Sequence, residues 1–574
     1  MTALLTDNLP LLAGAPNGIK KLRELILELA VRGKLVPQDP NDEPASELLK
    51  RIAEEKTRLL AEGKIKKQKA LAEIGEEEKP FDVPTSWKWT RLGELGLVGS
   101  SSRVHQKDWQ TSGVPFYRAR EIVRLSKDGF VDNELFISEE LYQELSTGES
   151  VPKAGDIMLT GVGTIGVPYC VQKTDRFYFK DASVLIFRSH VADNSNYLLR
   201  YFISPLWVET IHAESMGTTV HTLTIARANE TLCPLPPLAE QHRIVAKVDE
   251  LMALCDRLEA RQADAESAHA QLVQALLDSL TQARDPEDFA QSWQRLAEHF
   301  HILFTTESSI DALKQTLLQL AVMGKLVPQV PSDEPASELL KRIAEEKARL
   351  VADGKIKKQK PLGEIAVSDI PFDVPDNWAW SRIGEIALNT EYGLSEKTFD
   401  LQDGVPVLKM GDIQEGKVLL GGQMAVSKST EGLPELYLEP EDLLYNRTNS
   451  AELVGKTGIF LGQAGKYSFA SYLIRIRCLK ELFSPLYLNT SMNAPGFRET
   501  QINPHLKQQC GQANVNGTIM KNMLVSVPPL AEQHRIVAKV DELMALCDQL
   551  KARLNQARQV HEQLACALVE QAVA

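Results

Sequence analysis

The chain has 574 residues, 43% of them hydrophobic, and a formal net charge of −13. This length allows about three or four domains, and no apolar run reaches the roughly 20 residues that a membrane-spanning helix needs. The N-terminus lacks the basic start of a secretory signal. The seven cysteines form no CxxC pairs, which argues against a zinc site or a disulfide framework and favours a reducing cytoplasm. The negative charge, taken alone, argues against nucleic-acid binding.

The first predicted elements are helical, and they occur twice. Residues 29–69 recur with few changes as residues 320–360, and residues 80–94 recur as 371–385. Asp42 and Glu43 precede Pro44, an acidic start that predicts a helix over the amphipathic stretch that follows. The basic GKIKKQK segment that ends the first part of each copy is predicted to be a short loop that either contacts phosphate or is simply solvated, and solvation is favoured.

A block of unlike sequence follows each helical copy, residues 98–235 and residues 388–527. Short β-branched and aromatic runs between turns predict strands with intervening helices, and about 140 residues suit a single domain. Residues 161–166 fit the G-x-G-x-x-G dinucleotide fingerprint, but residues 167–171 have the pattern of a strand, whereas such a site requires a helix there. We therefore predict a hairpin turn and no dinucleotide site.

A second repeated segment follows each block. Residues 236–256, PPLAEQHRIVAKVDELMALCD, recur letter for letter as residues 528–548. Proline suits the first turn of a helix, and the apolar residues then follow the 4-3-4-3 spacing of a coiled-coil seam. Each helix can extend over about 40 residues, or roughly 60 Å. The narrow stripe favours the other copy as its partner, and the alternative is packing on its own domain. The predicted seam consists of Ile244, Val248, Leu251, Cys255, Leu258, Ile536, Val540, Leu543, Cys547 and Leu550.

The whole arrangement is a tandem duplication in which the repeated frames are nearly identical and the blocks between them differ. Drift alone would blur the frames as well, so the pattern favours two inserts with different specificities. The chain has no G-x-x-x-x-G-K-[ST] loop and no Asn-Pro-Pro-Tyr-type motif, and no convincing catalytic set is found.

This layout resembles the specificity subunit of type I restriction-modification systems. The resemblance is carried by the two PPLAEQHRIVAKVDEL motifs, by LAVRGKLVPQ and LAVMGKLVPQ before the blocks, and by the GDIMLT…GTIG stretch from Gly155. It implies an α+β protein with two mixed α/β target recognition domains, separated by long helices that form an antiparallel coiled coil, in a pseudo-twofold repeat. It also implies a non-catalytic DNA-binding subunit that reads a bipartite target in double-stranded DNA.

The resemblance further implies partners and a cellular location. Two methyltransferase subunits and restriction-translocation subunits are expected to dock on this chain. S-adenosylmethionine, ATP and magnesium are expected only in those partners, with no cofactor here. The expected location is the cytoplasm of a bacterium or archaeon. The alternative is a coiled-coil interaction scaffold whose two divergent domains bind proteins.

The predicted domain boundaries follow from the repeats and the resemblance. They are an N-terminal helical conserved region at 1–80, a first recognition domain at 81–236, a central helical conserved region with a long coiled-coil helix at 237–371, a second recognition domain at 372–528, and a C-terminal coiled-coil helix at 529–574.

Candidate DNA contacts are the polar and basic residues at turns of the two blocks. Arg and Lys can read guanine edges, and Asn and Gln can read adenine. In the first block the candidates are Arg103, His105, Lys107, Tyr117, Arg118, Arg120, Arg124, Thr160, Thr164, His221 and Thr222. In the second block they are Tyr392, Lys397, Lys409, Arg447, Thr448, Asn449, Lys456, Asn514 and Asn516. For each of them a surface salt bridge or a solvated loop is the alternative.

The charge of the two blocks limits how they can hold DNA. The first block has 13 Lys and Arg against 16 Asp and Glu, and the second has 13 against 14. Both are less acidic than the rest of the chain, but neither is basic. We therefore expect binding through local basic patches, weak for the isolated chain and strong in a complex whose other subunits add phosphate contacts.

Overall fold

The computed structural model describes residues 11–65, 70–146, 150–190, 195–213, 222–284, 286–509 and 512–573. The described α-helices are α1 (Gly18–Val31), α2 (Ala45–Ala61), α3 (Leu92–Leu95), α4 (Ala119–Asp128), α5 (Glu139–Leu145), α6 (Ser195–Phe202), α7 (Pro205–Ala213), α8 (Ile225–Glu230), α9 (Leu238–Thr281), α10 (Pro286–Glu298), α11 (Phe300–Leu303), α12 (Glu307–Val322), α13 (Ala336–Ala352), α14 (Ile383–Ile386), α15 (Pro485–Asn493), α16 (Pro495–Phe497), α17 (Gly517–Asn522) and α18 (Leu530–Val573).

The strands fall in two groups, one between α2 and α9 and one between α13 and α18. The first group is β1 (Lys88–Arg91), β2 (Gly96–Gly99), β3 (Val114–Tyr117), β4 (Phe136–Ile137), β5 (Ile157–Thr160), β6 (Pro168–Cys170), β7 (Tyr178–Phe179), β8 (Val184–Ser189) and β9 (Leu232–Leu235). The second group is β10 (Ala379–Arg382), β11 (Ala387–Tyr392), β12 (Val405–Leu408), β13 (Ile413–Gln414), β14 (Lys417–Val418), β15 (Ala425–Val426), β16 (Leu443–Asn446), β17 (Thr448–Asn449), β18 (Thr457–Ile459), β19 (Ser468–Phe469), β20 (Leu473–Cys478), β21 (Lys507–Gln509), β22 (Gln512–Asn514) and β23 (Leu524–Val527).

The chain divides into two units. The first comprises residues up to 264 together with those from 557 onward, and the second comprises residues 265–556. Each of the two 44-residue helices, α9 and α18, therefore contributes one part to each unit. The predicted α+β class with two mixed domains and long helices is confirmed.

The frame helices form where their sequence pattern predicts them. Helix α2 follows Pro44 in extended conformation, carries Glu47 in its first turn, and buries Ala45, Leu48 and Ile52 on one face. This spacing of three and four residues places the apolar side chains together, while the charged residues remain in solvent. Helix α13 repeats the arrangement in the second unit.

The two divergent blocks share one strand topology. In the first unit a four-stranded antiparallel sheet has the order β2-β8-β5-β6, and a three-stranded sheet has the order β4-β3-β7. In the second unit the order β11-β20-β16-β18 repeats the first sheet and is extended by β14 and β13, and the order β15-β12-β19 repeats the second. In both smaller sheets the central strand pairs antiparallel on one side and parallel on the other. The blocks therefore keep a fold that their sequences no longer display.

An ion pair of the same construction stabilises both larger sheets. Arg188 donates to the Asp156 carboxylate at 2.6 Å in the first unit, and Arg477 donates to Asp442 at 2.6 Å in the second. Both carboxylates are buried, so each needs such a partner to remain charged away from water.

The two ends of each predicted recognition domain lie side by side. Strand β1 pairs antiparallel with β9, which places Trp89 opposite Pro234, and β10 pairs with β23 in the same way. The PPLAEQ motif begins directly after β9 and again after β23. The first frame segment and the motif thus meet at the base of each recognition domain, although about 140 residues separate them in sequence.

The start of each long helix packs on its own repeat. Ile244, Val248 and Cys255 are buried in the first unit's core, which includes Trp87 and side chains of α1 and α2. Ala565, from the end of α18, belongs to the same core. Leu251 and Leu258 are half-buried against it.

The second unit repeats this arrangement with the helices exchanged. Ile536 and Val540 are buried beside Trp378, and Cys547 shares a smaller core with Val273 and Leu277 near the end of α9. Leu543 and Leu550 are half-buried against that core. In each unit the start of one long helix thus lies in a core with the end of the other, as an antiparallel pair requires.

Each long helix is also paired with a shorter frame helix. Arg23 of α1 lies 2.7 Å from the Asp256 carboxylate of α9, and Lys314 of α12 lies 2.5 Å from Asp548 of α18. The cores that hold the seam residues also include side chains of α1 and α12. The favoured partner, the other copy, and the alternative, packing on the helix's own domain, are therefore both present in the structure.

Candidate nucleic-acid interface

Each recognition domain has a turn of the same construction after one strand of its larger sheet. The backbone N–H of Gly166 donates to the carbonyl of Thr160 over 2.7 Å, and that of Gly455 donates to Asn446 over 2.7 Å. Gly166 has a φ of 76° and Gly455 a φ of 90°, and a Cβ on either would collide with neighbouring side chains. Only glycine fits such a position without strain. In the first unit the flanking strands β5 and β6 pair antiparallel, which confirms the predicted hairpin.

A second segment pairs with each turn. In the first unit Val162 forms an antiparallel bridge with Thr222, just before α8. In the second unit Thr448 of β17 pairs with Asn514 of β22, just before α17. We call these paired segments the turn edge: residues 161–167 with Thr222 in the first domain, and residues 447–456 with 512–516 in the second.

The second turn edge brings predicted contact residues together. The Arg447 guanidinium lies 5.0 Å from the centre of the Tyr392 ring, and the Tyr392 hydroxyl accepts a hydrogen bond from the Gly517 N–H over 2.8 Å. Asn514 is exposed beside them. The Arg447 Nε donates to the Thr448 hydroxyl at 3.2 Å, and the two terminal NH₂ groups of the guanidinium remain as donors for a base edge or a phosphate. This cluster is the strongest candidate for base contact in the second unit.

Two asparagines of this edge stabilise the local backbone through their side-chain oxygens. The side-chain oxygen of Asn516 caps α17 by accepting from the N–H groups of Thr518 and Ile519, both at 3.0 Å. Asn449 accepts from the Ser450 N–H at 2.8 Å. An asparagine that reads adenine uses both its side-chain oxygen and its NH₂ group. In Asn516 and Asn449 the oxygen already accepts a backbone hydrogen bond, so the NH₂ group is the part that remains to donate to DNA.

The first domain gathers aromatic and basic residues beside its turn. Tyr117 stacks on Phe177 with ring centres 4.7 Å apart, and Tyr117 and Val162 pack against the same apolar cluster. Arg118 and Arg120 follow at the start of α4, where both donate to the Glu121 carboxylate.

Glu121 limits what these two arginines can offer to DNA. Burial alone would raise the pKa of the Glu121 carboxyl, but hydrogen bonds from Arg118 and Arg120 hold this pKa below its usual range. Arg120 also donates to Glu134 over 2.7 Å. Part of the positive charge of both arginines is therefore neutralised within the domain.

The remaining predicted contacts lie on the surface of their domains. The exposed ones are Arg103, His105, Lys107, Arg124, Thr164, Thr222, Lys397, Lys409 and Lys456. Lys409 donates to Thr398 at 2.9 Å, and Lys397 lies 5.7 Å from the centre of the Phe399 ring. His221 lies outside the described residues.

Two predicted contacts are wrong for this structure. Thr160 is completely buried, and its hydroxyl accepts from the Val167 N–H at 2.9 Å and donates to the Thr164 carbonyl. Thr448 is buried as well, and its hydroxyl accepts from Arg447 Nε at 3.2 Å. Both hydroxyls form hydrogen bonds within the turn and belong to buried residues.

The sequence prediction missed two features near the second turn edge. Tyr472 is half exposed, and its carbonyl accepts from the Arg447 N–H at 3.1 Å. Its place in the aromatic run KYSFASYL is the only sequence signal for it. The basic loop at residues 354–360 contacts the same domain through Gln359, whereas the sequence favoured a solvated segment over one that contacts phosphate.

Within the described ranges, no group of three or more His, Cys, Asp or Glu side chains is arranged to hold a metal ion. Among the same residues, no helix is both long and apolar enough to cross a membrane.

Comparisons with known proteins agree with this geometry. Residues 84–266 and residues 375–558 each match the family profile described as "Type I restriction modification DNA specificity domain". The chain is 38% identical to the type I restriction enzyme EcoEI specificity subunit of Escherichia coli over 97% of this chain and 94% of that protein. The EcoAI specificity subunit of the same species gives the same identity and the same coverage.

A solved structure shows a weaker likeness. The crystal structure of the HsdS subunit from Thermoanaerobacter tengcongensis covers 86% of this chain and 98% of its own, with 18% identity and a TM-score of 0.40.

The two profile matches begin just before β1 and β10, run through the recognition domains, and end within α9 and α18. Two copies of the domain and 38% identity over nearly the whole length support this family over the alternative of a coiled-coil interaction scaffold. The chain therefore belongs to the family of type I restriction-modification specificity subunits and recognises DNA sequence through its two specificity domains.

Proposed function

We propose that this chain directs a multisubunit complex to a split DNA site and carries out no chemistry itself. The turn edge of each recognition domain faces one half of the target. The starts of α9 and α18 dock two copies of one methyltransferase subunit, and restriction-translocation subunits join that core. S-adenosylmethionine, ATP and magnesium belong to those partners, and the complex works in a bacterial or archaeal cytoplasm.

The observation that supports docking is a pair of identical exposed helix faces. His242, Ala246, Glu250 and Ala253 are exposed along α9, at spacings of four, four and three residues that place them on one face. The corresponding residues of α18, which are His534, Ala538, Glu542 and Ala545, are exposed in the same way.

Packing within the chain accounts for other parts of the repeated motif but not for these faces. Glu240, Gln241 and their equivalents are buried and hydrogen-bonded inside each unit. Beyond residue 256 exposed positions already differ between copies, as at Arg257 and Gln549. An identical exposed face on two helices is what two copies of one partner subunit need.

A charge introduced into one face tests the docking proposal. Ala246→Glu places a carboxylate in the proposed contact on α9, and Ala538→Glu does the same on α18. Each single variant of the full chain should retain one methyltransferase subunit, and the double variant should retain none, as native mass spectrometry of co-purified complexes would show. Ala263→Glu, at an exposed position of α9 outside the face, is the matched control and should retain two. Two bound subunits in the double variant would refute the docking faces.

Methylome sequencing tests the role in DNA recognition as a whole. Cells with the chain should carry a split adenine-methylated motif, and cells without it should lose that motif. A motif that persists in the absence of the chain would contradict the proposal.

A further inference from the structure

A groove of about 640 Å³ opens in the second unit beside the second turn edge. Three elements form it: the basic loop that follows α13, strand β11 and helix α17. Its basic lining residues are Lys355, Lys357, Lys358, Lys360 and Lys521.

The charge of this groove is opposite to that of the chain. The protein carries a net charge of −13, yet Glu391 is the only acidic residue among those that line the groove, and its carboxylate is bonded to Arg475. Lys355 lies 3.5 Å from Asp353. Within the described part of the chain, Lys357, Lys358 and Lys360 have no carboxylate partner.

Hydrogen bonds within the basic loop and just after it link this segment to the second recognition domain. The Gln359 side chain donates to the Leu388 carbonyl of β11 at 3.4 Å, and Arg382 donates to the carbonyl of Gly363 at 2.9 Å. The loop was predicted to be solvated, and its lysines are exposed. The Gln359 side chain and the backbone just after the loop, however, are bonded to the recognition domain, which places these charges beside it.

Lys347 stabilises the start of strand β11, which lines the groove. Its ammonium group donates to the carbonyls of Gly384 at 2.9 Å and Ala387 at 2.8 Å, just before and at the start of β11. Burial lowers the pKa of Lys347, and the charge of nearby Lys521 adds to this. Lys347 is thus a structural residue, in contrast to the exposed lysines of the loop.

The groove continues from the second turn edge along two elements. In β11 the groove residue Asn389 lies three positions before Tyr392, and α17 runs from Gly517, which donates to the Tyr392 hydroxyl, to the groove residue Asn522. Three residues of strand span about 10 Å, which is the length of about three base-pair steps of B-form DNA, since each step rises about 3.4 Å along the helix axis.

We propose that this groove binds the phosphate backbone of DNA next to the half-site that the second recognition domain reads. The inference rests on the proposed function, because it requires the turn edge to face DNA. The lysines contribute charge without reading sequence, since phosphates are the same at every step. An acidic chain thereby gains a local site for the polyanion that it recognises.

Salt-dependent DNA binding by the full chain tests the proposal. The variant Lys357→Gln, Lys358→Gln, Lys360→Gln removes three charges from the groove. The control Lys341→Gln, Arg342→Gln, Arg295→Gln removes three exposed charges from helices α13 and α10 outside it. Binding to a short fluorescein-labelled duplex of mixed sequence is measured by anisotropy at a series of salt concentrations.

Each phosphate contact contributes about 0.9 to the slope of log K against log salt. The groove variant should therefore lose about 2 to 3 from the slope, and the control should keep the wild-type slope. Binding to a target duplex and to a scrambled duplex should weaken by the same factor, so that the ratio of the two affinities is kept.

Three results would overturn the proposal. They are an unchanged slope in the groove variant, no duplex binding by the wild-type chain even at low salt, and loss of a methyltransferase subunit from the variant while its DNA slope is kept. The last would make the groove a protein-docking surface. Failure of the docking faces would appear in subunit stoichiometry without DNA, so the two proposals can fail separately.

Discussion

Trp87 Nε1 donates to the Glu240 carboxylate over 2.9 Å, in a bond that joins the first frame segment to the start of α9. Glu240 also accepts from the Gln38 side chain at 2.6 Å. The second unit repeats the bond between Trp378 and Glu532 at 3.1 Å. Because Trp87 immediately precedes β1 and Glu240 follows β9, each recognition domain is closed at its base by the same buried contact.

Removing this contact should destabilise the unit that contains it. Trp87→Phe leaves one oxygen of the buried Glu240 carboxylate without its donor, and hydrogen bonds to charged groups contribute about 1.5–3 kcal/mol. We expect a loss of about 2–3 kcal/mol in the free energy of unfolding, measured by urea denaturation followed by circular dichroism. Trp293→Phe, at a residue that is 40% exposed, should change stability by less than about 0.5 kcal/mol. Equal stability of the two variants would contradict this role.

The two buried glutamates should also give stability a pH dependence. Burial raises the pKa of Glu240 and of Glu532 above the ordinary value of 4.5, against the hydrogen bonds from Trp87 and Trp378. Between the unfolded and folded pKa values the folded state binds more protons, so its free energy of unfolding falls as pH rises through that window.

The double variant Glu240→Gln, Glu532→Gln removes both titrating groups. As pH rises from 4.5, wild type should lose stability relative to this variant, measured as the difference in free energy of unfolding at each pH. A difference that stays constant with pH would contradict the direction of the two shifts.

The frames of this fold could be predicted from the sequence, whereas the sheets could not. Helix α2 and the long helix α9 follow from apolar spacing and proline positions, because both signals are local. The pairing of Trp89 with Pro234 joins residues far apart in sequence, and no local pattern specifies it. The blocks share a topology through buried residues such as Asp156 and Asp442, whose partners become visible only in three dimensions.

The candidate interface was predicted in part for a similar reason. Tyr392, Arg447 and Asn514 were chosen for their chemistry alone, and the structure brings them to one edge. Thr160 was chosen on the same grounds, but its hydroxyl partner is the Val167 N–H. That contact forms only when the hairpin closes, and the residue type alone does not predict this closure.

Two threonines at the first turn should differ in how much stability the same substitution costs. Thr160→Val keeps the shape of the side chain but leaves the Val167 N–H without its acceptor, at a cost of about 1–3 kcal/mol. Thr164→Val leaves the backbone carbonyl that Thr160 contacts in place, so stability should change by less than about 0.5 kcal/mol. Urea denaturation of the two variants compares them directly. Equal losses of stability would show that the turn is not closed by the Thr160 hydroxyl.

Arg447 offers the sharpest test of sequence reading, because its chemistry separates base contact from phosphate contact. Selection from a random-sequence duplex library by the assembled complex first defines the two half-sites. Arg447→Ala should then weaken binding by about 1–3 kcal/mol and relax sequence preference in one half-site only. Arg447→Lys keeps the charge but loses the planar donors and the stacking on Tyr392. If Arg447 reads a base, Lys should relax the preference almost as far as Ala does, whereas a phosphate contact would be largely restored by Lys. Lys341→Ala, on the exposed face of α13, is the control and should leave the sequence preference at both half-sites unchanged. An equal loss of sequence preference at both half-sites in Arg447→Ala would rule out a local role for Arg447.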